Sequence, residues 1–135
     1  MNVKGITRDQ IRTYLDEVGT STRVDSDGDL FTVFPADEEF NHNVVIFFYV
    51  KDNSLGVYAF ATEFQVPEEK TLDALIAINQ WNAERKFPKV YLKDQIVQAE
   101  QWFALDEEVS VEYIKENCIR MMIALIWRFF VEFKY

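Results

Sequence analysis

A chain of 135 residues that is 49% hydrophobic, with twelve Phe, six Tyr and three Trp but only four Gly and three Pro, fits one globular domain over residues 1–135 and excludes a disordered or linker-rich protein. The formal net charge of −9, with no run of Lys and Arg, disfavours a nucleic-acid partner and instead serves solubility or attracts a basic partner. One cysteine, Cys118, excludes an internal disulfide, and Met1–Thr7 lacks the apolar stretch of a signal peptide, so a reducing, cytoplasmic location is expected.

Thr7 to Val18 reads as the first helix. Thr7 and Gln10 have the spacing of a capping box, Ile11, Leu15 and Val18 form a stripe that Tyr14 extends, and Gly19 suits the C-terminal cap. The narrow stripe predicts a helix on the outside of a sheet. Thr22 to Phe34 reads as a hairpin turned at Ser26-Asp27-Gly28-Asp29. Asp25, Asp27 and Asp29 invite a calcium reading that fails on spacing. An EF-hand loop needs a carboxylate roughly six residues beyond its glycine, and counted from Gly28 that position is Phe34. No metal is therefore expected.

Pro35 to Asn43 is a polar connection that carries His42, the only histidine, with no second His to share a metal. Val44 to Val50 is apolar at every position, which predicts a strand covered on both faces, by helices or by a second subunit. Lys51-Asp52-Asn53-Ser54 turns it into Leu55 to Thr62. Pro67 to Lys86 reads as the second helix, with Glu68 and Glu69 at the positive end of its dipole. Leu72, Leu75, Ile76, Asn79 and Ala83 share one face, and Ala74, Ile78, Trp81 and Arg85 the opposite one.

Pro88 ends this helix, because it disfavours helical backbone at Phe87 and has no N–H to donate. Val90-Tyr91-Leu92 follows with no room for a long loop, and Lys89–Lys93 pairs with Ile96–Leu105 as a third hairpin. Trp102 and Phe103 are adjacent, so one must point away from the main core.

Ser110 to Phe133 reads as the last and longest helix, capped by Ser110. One stripe runs through Val111, Ile114, Cys118, Met121, Met122, Leu125, Phe129 and Phe133, and a second through Ile119, Ile123, Ile126 and Phe130. The apolar arc spans about 200°, against about 100° for an ordinary surface helix. Its longest uncharged run, Met121 to Trp127, falls far short of the roughly 20 residues of a membrane span. Burying the second stripe contributes about 6–12 kcal/mol gross, against about 4–15 kcal/mol lost on association. The stripe therefore supports a dimer only with help from neighbours, or it lies in the core.

No chemistry declares itself. Gly5, Gly19, Gly28 and Gly56 are too scattered for a phosphate loop, no Cys/His cluster suits zinc, and Cys118 sits in mid-helix on the most apolar stripe. The expectation is a protein that is not an enzyme and binds no cofactor.

Trp81-Asn82-Ala83-Glu84-Arg85-Lys86-Phe87-Pro88-Lys89-Val90-Tyr91-Leu92 resembles a stretch of the YbjN family of bacterial sensory transduction regulators, in which a Trp-Asn-Ala-Glu-Arg-Arg-Phe-like helix end precedes a Lys-Ala/Val-Tyr-Leu-like strand. The likeness runs from Pro67 to the C-terminus, whereas the first half matches only in the order of its elements. Pro88 departs from the pattern, which has a small residue there. The resemblance implies an α+β fold like that of type III secretion chaperones, α-β-β-β-α-β-β-α, with about five antiparallel strands, three helices and frequent dimers.

It implies no catalytic or cofactor residue, and it marks Trp81, Asn82, Arg85 and Tyr91. Their local roles would be packing under the sheet for Trp81, a bond to nearby backbone for Asn82 and an acidic partner for Arg85. The expected function is a cytoplasmic regulator or adaptor, a homodimer that binds a protein partner in a chaperone-like manner. Ile119, Ile123, Ile126, Phe130, Trp81 and Arg85 are the expected interaction residues. The alternative is a small-molecule sensor whose pocket lies between the last helix and the sheet, lined by aromatics such as Trp102 and Phe103.

Overall fold

The computed structural model describes residues 1–135. Its elements, in chain order, are β1 (Asn2–Lys4), α1 (Arg8–Glu17), β2 (Arg23–Val24), β3 (Leu30–Phe34), β4 (Val44–Lys51), β5 (Ser54–Ala61), α2 (Thr71–Glu84), β6 (Lys89–Lys93), β7 (Ile96–Ala104), β8 (Glu108–Ser110), α3 (Val111–Tyr113) and α4 (Met121–Glu132). Thr7 caps α1 in a complete capping box. Its hydroxyl accepts from the Gln10 N–H at 3.2 Å, and the Gln10 side chain accepts from the Thr7 N–H at 2.8 Å. Gly19 follows at φ +84, a left-handed value that glycine takes without strain.

Turn chemistry sets the hairpins. Asp52-Asn53 (φ 53 and 58) and Asp94-Gln95 (φ 54 and 65) are two-residue loops with both residues left-handed, the type I′ pattern whose twist matches the flanking strands. The first hairpin differs from the two-residue Asp-Gly turn expected. The Asp25 N–H donates to the Asp29 carbonyl and the Gly28 N–H to the Asp25 carbonyl, so the loop is Ser26–Gly28 with Gly28 at φ +84. The Asp25 side chain adds bonds from the N–H groups of Asp27 and Asp29, which favours the longer loop.

The main sheet has six antiparallel strands in the order β2-β3-β4-β5-β7-β6, against about five expected. A second, two-stranded sheet was not foreseen: β1 pairs with β8, Asn2 opposite Ser110. It anchors the chain start beside the last helix, where the Val111 N–H donates to the Met1 carbonyl. Segments this short carry no periodicity, and their pairing partners are far apart in sequence.

One face of the sheet supplies Val44, Ile46, Phe48, Val57, Ala59, Val97 and Ala99 to the core, under the helices. No helix of this chain covers the other face of β4, so of the two covers expected for Val44–Val50 the helical one is present on one face alone. Val45, Phe47 and Tyr49 are half-buried there by neighbouring side chains alone. Phe47 stacks on Tyr49 at 5.6 Å and tilts against Phe31 at 5.4 Å, so ring contacts shield part of this face. Trp102 lies over Gly56 on this face, and a Cβ on Gly56 would meet its ring at 2.6 Å, which explains a glycine inside a strand.

The last helix is continuous but not uniform. Ser110 caps α3 by accepting from the Tyr113 N–H, and a π-helical segment, Ile114–Arg120, joins α3 to α4. Wider i→i+5 turns bring Ile119 under Ile114, and an apolar pattern read at 3.6 residues per turn misses this shift. Ile119, Ile126 and Phe130 are thus fully buried beside Cys118, Met122 and Phe129, and the expected second stripe belongs to the core. Only Ile123 of that stripe reaches the surface, where it is half-exposed. Ile126→Ala should therefore cost about 2–5 kcal/mol. Ile123→Ala should cost less than half as much, read from urea unfolding midpoints. Equal losses would contradict this placement.

Candidate functional site

α2 ends at Glu84, earlier than expected, and Arg85 is already extended (φ −121, ψ 140). The chain then passes through the cis Phe87-Pro88 peptide into β6. Three side chains lock this joint. The Trp81 indole N–H donates to the Pro88 carbonyl at 3.2 Å, and its ring meets Phe129 of α4 edge-on at 5.0 Å. Asn82 bonds both backbone groups of one residue: its amide donates to the Val90 carbonyl at 2.9 Å and accepts from the Val90 N–H at 3.0 Å. The amide thus stands where a neighbouring strand would, on the free edge of β6. The Arg85 guanidinium sits 5.2 Å over the Trp81 ring and 3.7 Å from the Glu132 carboxylate. Trp81 is buried while Arg85 stays exposed.

This joint fixes the rotation of α2. Ala74, Ile78 and Trp81 point into the core, so the more aliphatic face points out. Leu72, Leu75 and Ile76 are 70%, 45% and 58% exposed. Hydrophobicity alone would have turned that face inward, but the side-chain bonds of Trp81 and Asn82 are met only in the observed orientation.

On the uncovered sheet face the polar atoms are paired. The Tyr91 and Trp102 side chains donate to the two oxygens of Glu100, at 2.7 and 2.9 Å, and the Tyr58 hydroxyl donates to Gln98 at 2.8 Å. Burial, then the bond to Glu100, pushes the Tyr91 hydroxyl well above the usual phenol range. Lys89 sits over the Tyr91 ring at 5.6 Å. Trp102 is on this outer face and Phe103 packs against Phe87 at 6.2 Å, so neither lines a pocket against the last helix, which corrects that part of the sensor alternative. A cleft between α4 and β3 is walled instead by Phe34, Ile123 and Trp127, and one between α4 and α2 by Trp81, Arg85 and Phe129.

The residues richest in chemistry serve the fold. His42 Nδ1 bonds the Thr62 carbonyl at 3.0 Å, and its ring packs on Phe40 and Phe64. Cys118 is buried, and burial pushes its thiol up to about 12. The Asp25, Asp27 and Asp29 carboxylates lie within 4.8 Å of one another, but Asp25 is engaged by the loop backbone and Asp29 faces Arg8 at 3.5 Å. No helix is long and apolar enough to cross a membrane.

The family model of YbjN, described as "Putative bacterial sensory transduction regulator", matches residues 7–134, a wider span than the resemblance in the second half alone. Among solved structures, the chain is similar to "YbjN, a putative transcription regulator from E. coli", with a TM-score of 0.73 and 19% identity, covering 94% of this chain and 90% of that one. At that identity the likeness shows the fold, the α+β arrangement expected. No curated protein matches the chain.

Asn82→Ala removes two hydrogen bonds and leaves Val90 unpaired at the sheet edge, a loss of about 1–3 kcal/mol. Urea unfolding should show it, and an unchanged midpoint would mean that the joint is held by Trp81 alone.

Proposed function

Because the chain belongs to the YbjN family, matched over residues 7–134, we propose that it is a non-enzymatic regulator or adaptor of bacterial sensory transduction, acting in the cytoplasm as a homodimer that binds a protein partner in a chaperone-like manner. The observation that carries this reading is the outward stripe of α2. Three large aliphatic side chains in solvent on one short helix are costly without a covering surface. Leu72, Ile76, Asn79 and Ala83 follow one another at the alternating spacing of a helix–helix seam, and an asparagine in such a seam sets register by bonding its symmetry mate.

The magnitudes are compatible with a dimer. Burying three large aliphatic side chains contributes about 1.5–3 kcal/mol each, against an association cost of about 4–15 kcal/mol. The stripe needs its neighbours, and Asn79, Ala83 and the helix ends supply them. The net charge of −9 favours regulation through protein contacts over direct binding of nucleic acid. The packing roles of His42 and Cys118 support a function without catalysis and without a cofactor.

Light scattering across a dilution series should give twice the chain mass for the wild type. Ile76→Glu should give the mass of one chain, with an unchanged circular dichroism spectrum. A wild type at the mass of one chain throughout, or a dimer indifferent to Ile76→Glu, would contradict the α2 interface.

A further inference from the structure

We infer that a groove along the outer side of α4 takes an amphipathic helix of a partner protein, with apolar residues on one face and lysine or arginine on the side toward Asp37, Glu38 and Glu39. This site rests on the protein-binding reading above, and it shares no residue with the outward stripe of α2.

Three clefts, of about 340, 430 and 390 Å³, follow one another along α4. Phe34 and Ile123 wall the first two, and Ala124 and Trp127 wall the last two, so the three form one groove. It runs from Arg120 to Val131, which is about 17 Å at the rise of a helix, or roughly three turns. Ile123, Trp127 and Val131, four residues apart, make one half-exposed ridge of α4, and Arg120, Ala124 and Arg128 make the next. The channel between two such ridges is the shape that receives the ridge of a second helix. Ala124, in the middle of that channel, lets the second helix come close. Trp127 is held in place by the rings of Phe34 and Phe40, at 6.4 and 6.3 Å.

The wall facing α4 decides between a helix and a strand. Its first part is residues 18–21, where the N–H groups of Val18, Gly19 and Thr20 donate to carbonyls of α1. The Ser21 carbonyl accepts from the Thr32 hydroxyl at 2.8 Å. Its second part is residues 34–37. There Pro35 has no N–H, Ala36 donates to the Asn43 side chain, and Asp37 donates to the Phe40 carbonyl. The Asp37 carboxylate accepts from the N–H groups of Glu39 and Phe40. Val33 alone turns a backbone pair away from β4 before Pro35, too little for an added strand. An occupant must therefore satisfy its own backbone groups, as an amphipathic helix does.

Charge selects which helix. Asp37 lines the middle cleft and Glu39 the last, with Glu38 between them, and all three are exposed. On the α4 side, Arg120 is paired with Glu116 at 2.7 Å and Glu132 faces Arg85 at 3.7 Å, which leaves Arg128 against three carboxylates. A basic flank complements this rim. The α2 helix of a second copy does not, because its approach carries Glu68, Glu69 and Asp73 against one cation, Lys70.

A phage-displayed library of random linear peptides, selected on the full chain, tests this. Enriched peptides should space apolar residues three and four apart beside lysine or arginine, and one made synthetically should gain helical circular dichroism on mixing. A proline at the centre of that peptide should weaken binding at least about tenfold, a readout that leaves the protein untouched and so cannot reflect misfolding. Ile123→Glu should weaken it as much, Glu38→Lys with Glu39→Lys should weaken it, and Ile76→Glu should leave it unchanged. No enrichment, apolar residues at alternate positions, tolerance of the proline, or equal binding to either groove variant would overturn the inference. So would loss of binding on Ile76→Glu, which places the peptide on α2, or a wild-type dimer that Ile123→Glu splits, which gives the groove to a second copy. A dimer from which no peptide is selected fails the groove alone, whereas a monomer that binds helical peptides fails the α2 interface alone.

Discussion

A single amide holds the arrangement of this protein together. Asn82, on the last turn of α2, bonds both the N–H and the carbonyl of Val90, and so ties the end of a helix to the edge strand that follows it. Trp81 adds the Pro88 carbonyl and the Phe129 ring of the last helix, and Arg85 bridges to Glu132. These contacts leave α2 no freedom to rotate. Its inner face is then Ala74, Ile78 and Trp81, and Leu72, Leu75 and Ile76 are left in water. The surface that carries the proposed function is a consequence of how the joint is tied.

The sheet shows a similar division. Helices and the core occupy one face, and the other is finished by its own aromatic rings and by the Glu100 carboxylate, which accepts from Tyr91 and Trp102. Phe31, Phe47, Tyr49, Tyr58 and Phe60 shield one another well enough that this face is half-buried within the single chain. Aromatic neighbours on adjacent strands thus shield the outward residues of Val44–Val50 within the chain itself.

Local chemistry was legible in the sequence wherever a few adjacent residues decide the outcome. The Thr7–Gln10 capping box, the Asp52-Asn53 and Asp94-Gln95 turns, and the Ser110 cap all stand where residue types and spacing put them. The α+β order and the family were legible too, the latter from the Trp81–Leu92 stretch alone. Long-range and cumulative effects were not. The β1–β8 pairing joins residues from opposite ends of the chain. The π-helical segment Ile114–Arg120 shifts the helical period, which is why Ile119, Ile126 and Phe130 looked like a separate stripe and are core. The face that α2 turns inward is set by bonds to Pro88 and Val90, and hydrophobic periodicity does not register those bonds.

Amide hydrogen exchange at Val90, followed by NMR in the wild type and in Asn82→Ala, tests the joint most directly. A sheet-edge N–H with no partner exchanges readily, whereas one bonded to Asn82 Oδ1 at 3.0 Å should be protected. The structure predicts slow exchange at Val90 and at the Trp81 indole in the wild type, and loss of protection at Val90 in Asn82→Ala. Rapid exchange at Val90 in the wild type would contradict the joint, and with it the reason that α2 turns its aliphatic face outward.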